Sequence, residues 1–270
     1  MAGEAVAQLV GTRTKAFGRQ SDRKMQSAGN ISSGEQMLTH TSICRKAIAS
    51  DLEMAISCLT VAFDGDPVLN WMLRADSSRE GAFQVFFRTL FELALPHGEI
   101  LVANEGAGFA LWYPPGKSRI SLLKQIILLP RMVQAGGLRR LGRILKVLAA
   151  FEREHPKEEN FYLSAIGTHP EQQRKGIGSR LLRPVLEHCD REGLGAYLEN
   201  TSEENLVFYR RHGFTVREKI EVGKGAPVIY GMWRSPGSDG SQGEYPESRT
   251  NMGIASPKAI RNDGSTVPDG

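Results

Sequence analysis

The segment Ile166-Gly-Thr-His-Pro-Glu-Gln-Gln-Arg-Lys-Gly-Ile-Gly-Ser179 places two glycines beside a cationic pair where the hydropathy pattern changes from strand to helix. Leu181, Leu182, Val185, Leu186 and Cys189 follow at helical spacing, so a helix begins near the glycines. A helix N-terminus offers unpaired N–H groups and a positive dipole end. Gly176 and Gly178 remove Cβ atoms where an anion must approach the backbone, and Arg174 and Lys175 add positive charge. The chemistry that fits is the binding of a pyrophosphate. The dinucleotide pattern GxGxxG fails because Leu181 stands where its third glycine belongs. The Walker pattern fails because Lys175 precedes Gly176 instead of following it. A glycine-rich turn without a ligand is the remaining structural reading.

A second group lies between Glu199 and Phe214. Thr201-Ser-Glu-Glu204 has the spacing of a capping box for a short helix that Gly213 ends. On such a helix Asn205, Tyr209 and His212 share a face. Tyr209 is suited to general-acid work, since a phenol (pKa about 10) can share a proton with a leaving thiol (about 8.5). Its bland alternative is a buried aromatic with a satisfied hydroxyl. An ammonium acceptor must lose a proton before it attacks, and Glu199 is the candidate base because it sits near the end of a core strand. An ion-paired surface carboxylate is the competing reading for Glu199. Asp64, Asp66 and Glu105 are weaker candidates for acceptor recognition.

These residues resemble the GNAT superfamily of N-acetyltransferases, whose signature is Gln or Arg, two variable residues, Gly, one variable residue, then Gly or Ala. Gln173-Arg-Lys-Gly176-Ile-Gly178 matches it, and Asn205, Phe208-Tyr209 and Gly213-Phe214 follow at the family's interval. The resemblance is specific from Phe161 to Phe214 and loose before it. It implies acetyl-CoA as donor, with the pyrophosphate on Gln173, Arg174, Lys175, Gly176, Ile177, Gly178 and Ser179. It implies that the strand bearing Ile166, Gly167 and Thr168 splays from its parallel neighbour and that the pantetheine arm pairs with its free edge. Gly167 would permit the distortion, and Asn205 would bond the pantetheine amides. The family has no fixed base position, so Glu199 rests on its place in the strand alone. A helical insert flanked by Trp112-Tyr113-Pro-Pro115 and His155-Pro156 is similar to inserts of the puromycin N-acetyltransferase-like branch.

The elements that must hold these groups follow from periodicity and breakers. A strand is expected over 41–49, a helix opened by the box Ser50-x-x-Glu53, and a second helix over 78–95. Strands at 99–104 and 108–113 meet at Glu105-Gly106 as a hairpin. Residues 118–151 read as one or two basic helices broken by Pro130 and Gly136-Gly137. Strand, helix, strand, helix and two closing strands then run from Phe161 to Trp233, the first two strands being parallel because a helix crosses between them. Pro184 is awkward inside the helix after the glycines. The expected fold is α/β: the GNAT acyl-CoA N-acyltransferase fold, a mixed, mostly antiparallel sheet with a splayed parallel pair and helices on both faces.

The 270 residues, 40% hydrophobic and 24% charged, suit one domain with polar ends. We expect a disordered arm over 1–40, the acetyltransferase domain over 41–234 with its insert at 117–152, and a disordered tail over 235–270. Residues 1–38 also faintly resemble an organelle transit segment. A net charge of +4 favours an anionic ligand without requiring nucleic acid. The basic insert lacks interleaved aromatics, so neither nucleic acid nor a membrane is expected as partner. Cys44, Cys58 and Cys189 lack CxxC spacing, which disfavours a metal site and a disulfide framework and fits a cytoplasmic protein. No cysteine falls in the site segments as an acyl carrier, so direct transfer to an amine of a small molecule is expected. A peptide acceptor and a non-catalytic acyl-CoA-binding module are the alternatives, and the chain is expected to act as a monomer or homodimer.

Overall fold

Alternation along the strands decides which layer each side chain enters. In Ile100–Ala103 (β2), Ile100 and Val102 join one apolar cluster while Leu101 and Ala103 join another. The sheet is therefore buried on both faces. The computed structural model describes residues 44–97, 99–118 and 122–239, without the side chains of 122–125. The arm expected over 1–40 and the tail beyond residue 239 lie outside the described residues.

Seven strands form one sheet in the order β1-β2-β3-β4-β5-β7-β6. Cys44–Lys46 (β1), β2 and Gly108–Tyr113 (β3) pair antiparallel, as do β3 and Asn160–Thr168 (β4). β4 and Gly195–Asn200 (β5) are parallel, and Ile229–Arg234 (β7) lies antiparallel between β5 and Thr215–Ile220 (β6). This is the expected mixed α/β GNAT sheet. The β2–β3 hairpin turns at Asn104-Glu105-Gly106, all three in left-handed conformation.

One face packs against Leu52–Ala62 (α1), Pro67–Met72 (α2), Arg79–Ala94 (α3) and Leu122–Glu154 (α4). The other packs against Ile177–Glu192 (α5) and Leu206–Arg210 (α6). Several starts and stops differ from expectation. Ser50 makes no capping box: Asp51 accepts the Ile48 N–H at 2.8 Å and is held by Arg45, a strand residue. α2 was not expected, although Asp66-Pro67 carries its signal. The Asp66 carboxylate caps the Leu69 N–H at 2.8 Å, and Pro67 fills the first helical position. α4 continues through Pro130 and breaks at Gly137, whose φ of 64° leaves the helical region. α5 likewise runs through Pro184.

The basic side chains of α4 attach it to its neighbours. Arg140 donates to the carbonyls of Asn70 and Leu73, and Arg143 donates to that of Trp71. These carbonyls end α2 and have no helical partner, so the two guanidiniums satisfy them. Arg131 pairs with Glu92 of α3 at 2.5 Å. Among the described residues no helix is long and apolar enough to cross a membrane.

Candidate active site

The parallel strands separate where the site begins. β4 and β5 pair only from Asn160–Leu163 to Gly195–Leu198. Beyond that point β4 stays with β3 as far as Thr168, and β5 stays with β7 as far as Asn200. The β3–β4 register skips Ser164, an extra residue that bends β4 away from β5. The inner edge of β4 past Leu163 therefore presents backbone groups without a strand partner, the condition an added extended chain can meet. A cavity of about 350 Å³ fills the wedge, bounded by Ser164, Ala165 and Ile166 on one side and by Leu198, Glu199 and Asn200 on the other.

At the far end of β4 the chain makes the glycine turn. Arg174 and Gly176 both have positive φ, 62° and 75°, and Gly176 is the residue before α5. The first helical bond is Arg180 N–H to the Gly176 carbonyl, so the N–H groups of Ile177, Gly178 and Ser179 have no partner within the helix. Arg180 and Lys175 are tied to the turn through the Lys175 carbonyl and the Gln172 side chain, both at 2.9 Å. Gly178 lies against Phe208, where a Cβ would come within 3.0 Å of the ring. Beside the turn lies a second cavity of about 300 Å³ with a mixed lining, in which Arg180, Arg183 and Arg211 stand with Glu187, Asp190 and Asp239.

Glu199 and Tyr209 both line the wedge. The Glu199 stem is partly exposed, but Oε1 is buried without a hydrogen-bond partner. Loss of hydration pushes this carboxyl up to about 8, opposed by a hydrogen bond from the Tyr162 hydroxyl. Tyr162 stands in a stack across three strands, its ring 6.1 Å from Tyr113 and 6.3 Å from Tyr197. Burial raises the Tyr209 phenol well above its usual range, and the negative charge of Asp66 raises it further. Asp66 is itself raised by burial, against hydrogen bonds from the Leu69 N–H and the Thr201 hydroxyl.

Of the residues singled out in the sequence, Ile166, Gln173, Glu199, Asn205 and Tyr209 are brought to one cavity. Thr168 closes β4, its carbonyl accepting from the Gln173 side chain at 3.3 Å. Arg174 and Lys175 are exposed in the turn. Ile177 is 1% exposed and packs in the core, so only its backbone faces the turn. Gly167 does not carry the strand distortion, which belongs to Ser164. A Cβ at Gly167 would sit 2.8 Å from Leu59 and 3.0 Å from Ala62, so its role is the close approach of α1. The Thr201–Glu204 capping box is absent: the short helical segment starts after Ser202 with no side-chain cap, and the Thr201 hydroxyl bonds Asp66 instead. His212 lines the second cavity, away from Asn205 and Tyr209. Asp66 enters the wedge, whereas Asp64 pairs with Arg79 at 2.5 Å and Glu105 stays in the hairpin turn. Tyr162 and the aromatic wall of α3 and α4 had no sequence signal beyond hydrophobicity, since only the fold aims them inward.

Residues 138–216 match the family described as the acetyltransferase (GNAT) domain, a span that includes β4, the glycine turn, α5, β5 and α6. An uncharacterised N-acetyltransferase of Schizosaccharomyces pombe is 28% identical over 188 residues, covering 65% of this chain and 75% of that protein. A probable serine/threonine-protein kinase of Dictyostelium discoideum is 26% identical over 243 residues, covering 82% of this chain but only 26% of its own length. A solved structure of histone acetyltransferase HPA2 and related acetyltransferase from Corynebacterium glutamicum is 26% identical with a TM-score of 0.56. It covers 72% of this chain and 96% of that one. Together with the splayed sheet, these define a GNAT-fold acyltransferase, an enzyme of the N-acetyltransferase class.

Proposed function

We propose that the protein binds acetyl-CoA and transfers acetyl directly to the amine of a small molecule. The observation that carries this reading is that Ile166 on the free edge of β4 and Gln173 of the glycine turn both line the wedge that holds Glu199 and Tyr209, while the open N-terminal amides of α5 begin four residues after Gln173. The turn amides of Ile177, Gly178 and Ser179, with Arg174 and Lys175, would hold the pyrophosphate. Ile166, Gly167 and Thr168 would present the strand edge to the pantetheine arm, and Asn205 would bond its amides.

Acetyl-CoA supplies the acetyl group as a thioester. Glu199, with a carboxyl near 8, takes a proton from the acceptor ammonium and leaves the amine free to attack. Tyr209 gives its proton to the departing sulfur as the N–C bond forms and the C–S bond breaks, and the resulting tyrosinate takes the second proton from the acylated nitrogen. Its raised phenol keeps the proton until that charge develops. Val147 and Phe151 of α4 line the wedge, which supports the insert as a lid over the acceptor and a relation to the puromycin acetyltransferase-like branch. The free thiols of Cys44, Cys58 and Cys189 support a cytoplasmic setting.

Calorimetry with acetyl-CoA and an assay of free thiol release against an amine panel test the proposal. Tyr209→Phe should lower kcat by about 100-fold or more while acetyl-CoA binding persists, as loss of a general acid requires. A protein that binds acetyl-CoA but has no turnover to lose is an acyl-CoA-binding module. One that binds neither acetyl-CoA nor CoA overturns the proposal.

A further inference from the structure

The acceptor end of the wedge has a chemical character of its own. Asp66 and Glu199 line it, Glu204 stands at its mouth, and no described lining residue is Lys, Arg or His. Both inner carboxylates belong to the splayed end, because Glu199 is on β5 and Asp66 is bonded by Thr201, the residue after β5. The opposite wall is apolar. Phe63 of the α1 end and Phe86 of α3 frame it, with Phe87 behind them at ring distances of 5.1 and 5.2 Å. Val147 and Phe151 close it from α4.

The second half of α4 can supply this wall because its charges are engaged elsewhere. Arg140 and Arg143 cap the end of α2, which turns the apolar stripe of Ile144, Val147 and Phe151 toward the sheet. An amine entering here places its ammonium between carboxylates and its body against aromatic rings. A carboxylate on the acceptor would meet Asp66 and Glu199 and, among the described lining residues, no cation to pair with. With Asp66 and Glu199 both addressing the first nitrogen, a second ammonium further along the acceptor would lie against the Phe86 and Phe151 wall, stripped of water.

Resting on the acetyl-transfer reading of this site, we infer that the acceptor is a monoamine with an apolar aliphatic or aromatic body and no carboxylate. Amino acids are disfavoured because no cation among the described lining residues meets their carboxylate, and polyamines by the apolar wall that favours the monoamine. Specificity lies in the contact of the acceptor body with Phe86 and Phe151, while both carboxylates address the nitrogen.

The test follows thiol release by the full-length protein with acetyl-CoA and linear amines from ethylamine to hexylamine, with spermidine, leucine and 3-methylbutylamine alongside. kcat/KM should rise about fourfold per added methylene, as burial of each on an apolar wall requires. Spermidine should fall about 100-fold below hexylamine, and leucine about 100-fold below 3-methylbutylamine, as an unpaired charge in the wedge requires. Phe151→Ala, and separately Phe86→Leu, should flatten the alkyl series while acetyl-CoA binding by calorimetry shows that each variant is folded. A flat series in the parent protein, or spermidine or leucine acetylated as well as its counterpart, overturns this inference alone. A steep series left unaltered by both variants overturns the assignment of the wall. Absence of thiol release with every amine overturns the inference and the acetyl-transfer reading together.

Discussion

Exchange of Glu199 for Gln keeps the side chain's shape and removes its ability to ionise. In the folded protein the carboxyl titrates near 8, against 4.5 for the ordinary group, and loss of hydration is the largest cause. A carboxyl whose folded value is raised binds more protons folded than unfolded between these two values. Stability therefore falls as pH rises through that window. The gap corresponds to roughly 5 kcal/mol at 1.36 kcal/mol per pH unit, an upper bound because the open wedge admits water and relaxation. About 2 kcal/mol of relief at pH 9 is the working expectation, or several degrees in Tm for a domain of this size. Urea and thermal unfolding of parent and E199Q from pH 5 to pH 9 measure it. The two should nearly coincide at pH 5, and E199Q should be the more stable at pH 9. In the same preparations kcat/KM of the parent should climb about tenfold per pH unit below pH 8 and then level, the limb of a single essential base. E199Q should lack that limb and lose about 100-fold or more in rate. Parallel stability curves would refute the claim that this carboxyl is desolvated, and an unchanged pH–rate limb would refute its role as base.

Tyr162→Phe removes the hydrogen bond that lowers the Glu199 carboxyl, so the acidic limb of kcat/KM should move to higher pH while the plateau stays within a fewfold of the parent. A shift toward lower pH would contradict this. Asp190→Ala strands Arg234, which is 5% exposed and otherwise bonded to the carbonyls of His212 and Ser238. Unfolding in urea should show a loss of about 2 kcal/mol, since those carbonyls keep part of the guanidinium satisfied. An unchanged midpoint would show that the pair contributes nothing net.

The readable part of the site was the part made by local backbone geometry. Gly176 takes a left-handed conformation directly before α5, at the strand-to-helix turn that the sequence predicts, whereas the contact of Gly178 with Phe208 had no sequence signal. Strand alternation and the crossover helix were enough to give the parallel β4–β5 pair and the mixed sheet. What was misread depended on partners distant in sequence. Ser50 and Thr201 have cap chemistry, but Glu53 pairs with Arg88 of α3, Asp51 takes the Ile48 amide, and Asp66 takes the Thr201 hydroxyl. Gly167 looked like a hinge because glycine permits both bending and contact, and only the position of α1 decides between them. α2 was missed because six residues carry too little periodicity to stand out, even with Asp66 and Pro67 at its start.

Asp66 shows how one such short element serves the chemistry. As the cap of α2 it is fixed by the Leu69 amide, and as a hydrogen-bond acceptor it anchors Thr201 at the end of β5. The same carboxylate faces the Tyr209 phenol and raises it. Arg140 and Arg143 satisfy the other end of α2 and carry the apolar stripe of α4 over the wedge. A helix of six residues is too short to be stable by itself. Capped at one end by Asp66 from the wedge and at the other by Arg140 and Arg143, it ties α4 to the end of β5. The charge of those two arginines is thus used where α2 ends, and that attachment sets Val147 and Phe151 of α4 in the lining of the wedge.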